Sequence, residues 1–223
     1  MVKRVSLPQL LRRHLHLSPR GATEFMLVAL ALSTANPTLT SLGIGAAFAL
    51  TGEFIRIWAA GYSGLAPGHG PFRWVRHPYS LGSALLFAGL ALASRNVYVM
   101  LATILLLPLV YQPKIKRVEA ALRRQLGPWQ PRYEAVVPAF LPRLLPMSRG
   151  WLPHEVNRVV FSVEYALLRG RHRELDALLA MVLSAGALYA LKVSTHAEHL
   201  HLWVVAAVAL LAAARLVYYS VRS

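Results

Sequence analysis

Between two apolar stretches the chain reads Gly70-Pro-Phe-Arg-Trp-Val-Arg-His-Pro-Tyr-Ser-Leu-Gly82, which brings Arg73, Arg76 and His77 into one Gly/Pro-framed loop. Arg76 offers a planar fork of donors that suits a carboxylate or a phosphate. His77 can donate, accept or shuttle a proton near neutral pH. Pro78 drives His77 out of helical geometry and can open the next helix. Gly61, Gly64, Gly68 and Gly70 let the backbone approach a ligand closely. The same cations also read simply as basic loop residues beside a helix start.

A second candidate lies about forty residues on. Glu119 is the only acid between Glu53 and Glu134, and it sits in the run Lys114-Ile-Lys-Arg-Val-Glu-Ala-Ala-Leu-Arg-Arg-Gln-Leu126-Gly127. A lone carboxylate among cations suits a ribose diol or an ammonium group. It equally suits a surface pair with Arg123, four residues along a helix, worth a few tenths of a kcal/mol. Glu53 and Arg56, three apart in an apolar segment, read either as a functional intramembrane pair or as a mutually neutralising structural one.

The elements that must position these groups are hydrophobic. The chain has 223 residues, 56% hydrophobic and 15% charged, with mean hydropathy +0.46. Soluble domains carry about 25% charged residues, so the composition is that of a membrane protein. Apolar segments fall at 23–36, 38–60, 80–95, 96–112, 174–193 and 200–219. Some are shorter than the ~20 residues usually needed to span. Asn36-Pro37 and Arg95-Asn96 mark tight turns that pair them into helical hairpins. The expected fold is an all-α polytopic membrane bundle of about six transmembrane segments, forming one integral domain over 1–223.

Charge gives the orientation. The net charge is +15. Only Arg95 and Lys192 fall in the outer turns, and Arg56 lies inside an apolar segment; the other bases follow the N-terminal arm, the loop 61–79, the connector and the region near the C-terminus. That asymmetry places both termini in the cytoplasm and argues against nucleic acid as a partner. The expected location is a multi-pass cytoplasmic (inner) membrane of a prokaryote, the last point hinted at by Ala/Leu/Arg-rich usage.

Around the core 23–140 lie a basic amphipathic arm (1–22), an interfacial connector (141–173) and a further hairpin (174–223). In the connector, Val156, Val159, Val160, Val163 and Leu167 recur at helical spacing, and Pro138, Pro142, Pro146 and Pro153 break the stretch before them. Lys114 to Leu126 reads as a helix stopped by Gly127-Pro128. Pro108 and Pro113 read as a kink that opens a lateral gap for a lipid, or as a packing kink. Phe25 to Leu32, followed by Ser33-Thr34-Ala35, has some features of a signal peptide, though its basic flank is long for one. His196, Glu198, His199 and His201 read as a wet polar turn rather than a metal site. No cysteine is present, so disulfides, thiolate nucleophiles and Cys-based metal sites are excluded.

Together the loop and the later helix resemble the isoprenylcysteine carboxyl methyltransferases and the membrane phospholipid methyltransferases. That family shows a Gly-Pro-Tyr-like turn, Arg-His-Pro-x-Tyr-x-Gly, a helical hairpin, then Glu-Glu-x-x-Leu-x-x-x-Phe-Gly-x-x-Tyr-x-x-Tyr. This chain has Gly70-Pro71-Phe72, Arg76-His77-Pro78-Tyr79-Ser80-Leu81-Gly82, Val118-Glu119-Ala-Ala-Leu122, Leu126-Gly127 and Tyr133. Gly52-Glu-Phe-Ile-Arg56-Ile-Trp58-Ala59 is similar to the family's Gly-x-x-x-Arg-x-Trp-Ala helix. Ser80 replaces the motif tyrosine, Val118 the first glutamate, Leu126 the phenylalanine and Gln130 the first later tyrosine.

The resemblance implies methyl transfer from S-adenosylmethionine to a lipid or prenylated acceptor. Arg76, His77, Glu119, Tyr79, Gly82 and Tyr133 would line the cofactor, with Arg76 and His77 nearest the chemistry. An aromatic ring such as Trp74, Tyr79, Trp129 or Tyr133 could face adenine or the sulfonium. Two other readings stay open: a nicotinamide-dependent membrane reductase of the sterol-reductase type, and a non-catalytic membrane protein retaining the fold. Oligomeric state is not legible.

Overall fold

The computed structural model describes residues 19–62, 67–148, 160–169, 186 and 188–190. Over them the chain is helical. In order come α1 (Pro19–Thr34), α2 (Leu39–Ala60), a 3-10 turn (Gly70–Arg73), α3 (Pro78–Ser94), α4 (Val97–Leu126), a second 3-10 turn (Gly127–Trp129), α5 (Gln130–Val136) and a π-helical turn (Tyr165–Arg169). An isolated antiparallel bridge joins Tyr62 to Phe161.

The four apolar segments expected between 23 and 112 all form helices. Two are long and apolar enough to cross a membrane: Leu39–Ala60, and the continuous Val97–Val136 stretch. Pro78–Ser94 is apolar but shorter. Of the about six spans expected, these two helices lie among the described residues, while the segments 174–193 and 200–219 fall almost wholly outside them. The basic arm, most of the C-terminal hairpin with its His196–His201 cluster, and both termini lie outside the described residues.

Local chemistry sets the helix ends. Thr38 caps α2 with a reciprocal box, its side chain accepting from Ser41 N–H while the Ser41 hydroxyl accepts from Thr38 N–H. Asn96 caps α4 by accepting from the amides of Tyr98 and Val99. Arg95 takes a left-handed conformation with φ 53° to turn α3 into α4. At the other end of α4, Gly127 stops the helix at φ 51°, a conformation costly for any residue with a Cβ. Pro108 and Pro113 both lie inside α4, so the carbonyls four residues earlier lose their usual donors.

The tightest contact is α2 against α3. A Cβ at Gly45 would meet the Gly89 carbonyl oxygen at 2.5 Å, and one at Gly52 would meet the Gly82 oxygen at 2.4 Å. The two crossings lie seven residues apart on each antiparallel helix, so the backbones touch at two levels. Small residues at such spacing let helices approach where lipid supplies no hydrophobic drive. On the far side, Leu27, Ala31 and Leu32 of α1, Phe87 and Leu90 of α3, and Val99, Leu107 and Tyr111 of α4 form the main core. The Tyr111 hydroxyl donates to Glu24 Oε1 at 2.7 Å.

The connector departs from expectation. Val160 and Phe161 are not helical; helix begins only at Val163. Phe161 folds back on the end of α2 instead, with Ser162 N–H donating to the Gly61 carbonyl at 2.9 Å. The Phe161 ring fills the space where a Cβ of Gly61 would stand. A tertiary contact has overridden the helical period here. Val156 and Val159 lie outside the described residues.

Candidate functional site

The loop 72–77 is held by a second segment. After α5 the chain runs Val137-Pro-Ala-Phe-Leu-Pro-Arg-Leu-Leu-Pro-Met147, and the prolines keep this bent segment out of helix. Arg76 N–H donates to the Pro138 carbonyl at 2.9 Å and His77 N–H to the Ala139 carbonyl at 3.2 Å. In return Arg143 N–H donates to the Trp74 carbonyl and Met147 N–H to the Arg73 carbonyl, at 3.0 and 2.9 Å. The Tyr133 hydroxyl donates to the Phe72 carbonyl at 2.8 Å. Every backbone group so engaged removes freedom from the residues that carry Arg76 and His77. Residues 137–147 thus form a strap across the loop.

Onto that frame α4 brings Glu119. His77 Nε2 lies 2.6 Å from Glu119 Oε1, and Arg76 Nη1 lies 3.1 Å from the same oxygen. Arg76 Nη1 is also 3.1 Å from Glu134 Oε1, and Gln130 donates to that carboxylate oxygen. One guanidinium thus spans carboxylates from α4 and α5. His77 is 4% exposed, whereas the side chains of Glu119 and Glu134 keep 18% and 32%, so the cluster has a closed inner wall and an open outer edge.

Electrostatics follow from this. Burial pushes the His77 pKa below its ordinary value of 6.5, while the hydrogen bond and charge of Glu119 pull it partly back up. A neutral imidazole that donates Nε2–H to Glu119 keeps its lone pair on Nδ1. Arg76 Nε is buried and has no hydrogen-bond partner among the described residues. A buried guanidinium donor left unmade is costly, and it marks a place for an anionic acceptor.

The structure brings together three of the expected residues: Arg76, His77 and Glu119. Glu119 pairs across the bundle instead of with Arg123 on its own helix. Tyr79 stands beside the cluster, its ring edge-on to Phe72 and beneath the Lys114 ammonium, 5.6 Å from the ring centroid. Tyr133 acts through the loop backbone. Gly82 lies in the α2–α3 contact against the Gly52 oxygen and Arg56 Cγ. Arg73, which shares the loop with Arg76 and His77, is engaged by the strap: its Nε donates to the Met147 carbonyl at 2.6 Å. Glu53 and Arg56 are 3.6 Å apart, and Trp129 packs under the Arg132 guanidinium.

Sequence reasoning missed Glu134, Gln130 and the strap. A signal for Glu134 existed: acids are so scarce here, nine against 24 bases, that each is a candidate partner for a buried cation. For the strap only the prolines stood out, and they read as breaks. Val118, where the motif has a glutamate, packs against the cluster of Leu122, Leu126, Tyr133, Val137 and Met147 beneath the strap.

Residues 25–126 match a family model described as phospholipid methyltransferase, which bears out the resemblance read from the loop and the later helix. The match takes in Arg76, His77, Tyr79, Gly82 and Glu119, and it ends before Tyr133, Glu134 and the strap. Neither a curated protein nor a solved structure gives a significant match.

Proposed function

We propose that this chain, with a phospholipid methyltransferase segment over 25–126, moves a methyl group from S-adenosylmethionine to a lipid acceptor at the cytoplasmic membrane interface. The observation that carries the proposal is the meeting of Arg76 and His77 on one carboxylate, Glu119, from a helix more than forty residues away.

The donor set suits the cofactor. The orphan Nε of Arg76 is matched to the methionyl carboxylate by a charge-assisted bond. Glu119 has lone-pair sites beyond those taken by Arg76 and His77, enough to accept from a ribose hydroxyl or the ammonium. Tyr79 supplies an aromatic face near the cluster, suited to adenine or to a positive sulfur. When bound, S-adenosylmethionine supplies a methyl group on a sulfonium, ready for in-line displacement.

The remaining work falls to the chain itself. Glu134, with Gln130 behind it, gives Arg76 a second carboxylate partner besides Glu119, and the strap fixes the backbone of Arg76 and His77. Alignment of this kind supplies much of the rate of a two-reactant displacement. For an amine acceptor, such as a phospholipid headgroup, one proton must leave nitrogen, and His77 Nδ1 is the base that takes it. A carboxylate acceptor needs no base.

Thermal unfolding of the detergent-purified protein with S-adenosylhomocysteine tests the reading. A ligand at roughly 100 times its dissociation constant stabilises by about 2.7 kcal/mol. We expect that shift in the wild type and its loss in both Arg76→Ala and Glu119→Gln. Equal stabilisation of Arg76→Ala would remove the central role, and no response in the wild type would remove the cofactor.

A further inference from the structure

The strap that locks the loop carries an apolar surface that nothing in its role as a lock requires. Phe140, Leu141, Leu144 and Leu145 are 39%, 81%, 94% and 74% exposed, within six residues, with Arg143 among them. Large apolar side chains gathered at the surface mark a contact with a protein or a membrane. The exposure pattern along α4 says which.

Its outward apolar residues run from Val97 through Leu101, Ile104 and Leu105 to Leu109. From Gln112 to the end of α4 no large apolar side chain is exposed, and the long side chains that face outward are Gln112, Lys116, Arg117, Arg123, Arg124 and Gln125. A helix that changes character so abruptly has its hydrocarbon boundary near Leu109–Gln112. The strap joins this same end of the bundle, since it is bonded to the loop that precedes α3 and the Phe140 ring stands 6.0 Å from the His77 ring. Apolar side chains alternating with an arginine fit the boundary between acyl chains and headgroups.

We propose that residues 140–145 seat in the headgroup layer of the bilayer, so that the segment holding Arg76 and His77 is itself anchored in the membrane from which a lipid acceptor arrives. This rests on the reading that α2 and α4 cross that bilayer, and it does not depend on the identity of the methyl donor.

The test uses the absence of cysteine from the chain. Full-length Leu144→Cys, Arg124→Cys and Ile104→Cys proteins are each labelled with an environment-sensitive fluorophore. They are then reconstituted in vesicles of mixed phosphatidylcholine and phosphatidylglycerol. Leu144 and Ile104 are exposed, so these substitutions remove little packing.

The expected result is loss of fluorescence at position 144 with lipids spin-labelled near the ester linkage, together with protection from aqueous iodide. Position 124 should be quenched by iodide, and position 104 by lipids spin-labelled at mid-chain. Iodide quenching at 144 equal to that at 124, with 104 still quenched by lipid, would overturn the proposal alone. Iodide access at 104 as well would overturn the membrane-spanning reading beneath it.

Discussion

At the residue scale, the cluster depends on a balance of burial against charge. His77 is enclosed, and the cost of charging it there exceeds what the Glu119 hydrogen bond returns, so its folded pKa lies below 6.5. Between that folded value and 6.5 the unfolded chain binds more protons than the folded one. Stability from this group is therefore fully present above 6.5 and is lost as the pH falls through the folded value. We expect the melting temperature of the wild type to drop more steeply on acidification below 6.5 than that of His77→Gln, which has no proton to take up. Parallel slopes for the two proteins would refute the assignment. The base role proposed for His77 needs the neutral imidazole and so has the same sign: activity toward an amine acceptor should fall over the same acid range.

At the element scale, the α2–α3 contact is a pair of backbone crossings rather than an interdigitation of side chains. Gly52→Ala puts a methyl group into a backbone carbonyl, which cannot rotate away. The helices must separate, at a cost of about 1–3 kcal/mol by comparison with overpacked cores. Gly43, on the same helix, has open space where an alanine methyl would stand, with nothing within 4 Å. Gly43→Ala should then be neutral or gain up to about 1 kcal/mol from helix propensity. Opposite shifts in melting temperature for these two alanines are the expected outcome. Because α3 begins at Pro78, directly after His77, separation of α2 from α3 should also weaken S-adenosylhomocysteine binding in Gly52→Ala.

At the scale of the whole molecule, the bundle has two chemically different ends. One holds the tight turns at Asn36-Pro37 and Arg95-Asn96; there Asn36 N–H donates to the Ser94 carbonyl and the Asn96 side chain to the Thr34 carbonyl. The other gathers the loop, the polar end of α4, α5 and the strap. If α4 crosses the bilayer, Asn96→Cys and Arg117→Cys must lie on opposite sides of it. A membrane-impermeant maleimide applied to right-side-out vesicles should label Asn96→Cys alone, and both only after the membrane is opened. Labelling of both in sealed vesicles would exclude the crossing, and labelling of Arg117→Cys alone would reverse the orientation.

Much of this was legible in the sequence because it is local. Hydropathy and the turn residues located α1 to α4, since a helix is dictated by the period and caps of its own segment. Gly127-Pro128 announced the end of α4 in the same way. The types of Arg76, His77 and Glu119, and their resemblance to a methyltransferase pattern, were equally visible. What the sequence left open was pairing. Whether Glu119 meets Arg123 on its own helix or Arg76 across the bundle depends on how α3 and α4 pack, and that is set by contacts such as Gly45 on Gly89 far from the site. The tertiary fold alone gave Arg73 to the strap, Glu134 to Arg76, and Phe161 to the end of α2. Each of these is an encounter between groups remote in the chain, and no property of a single segment encodes where another segment will lie.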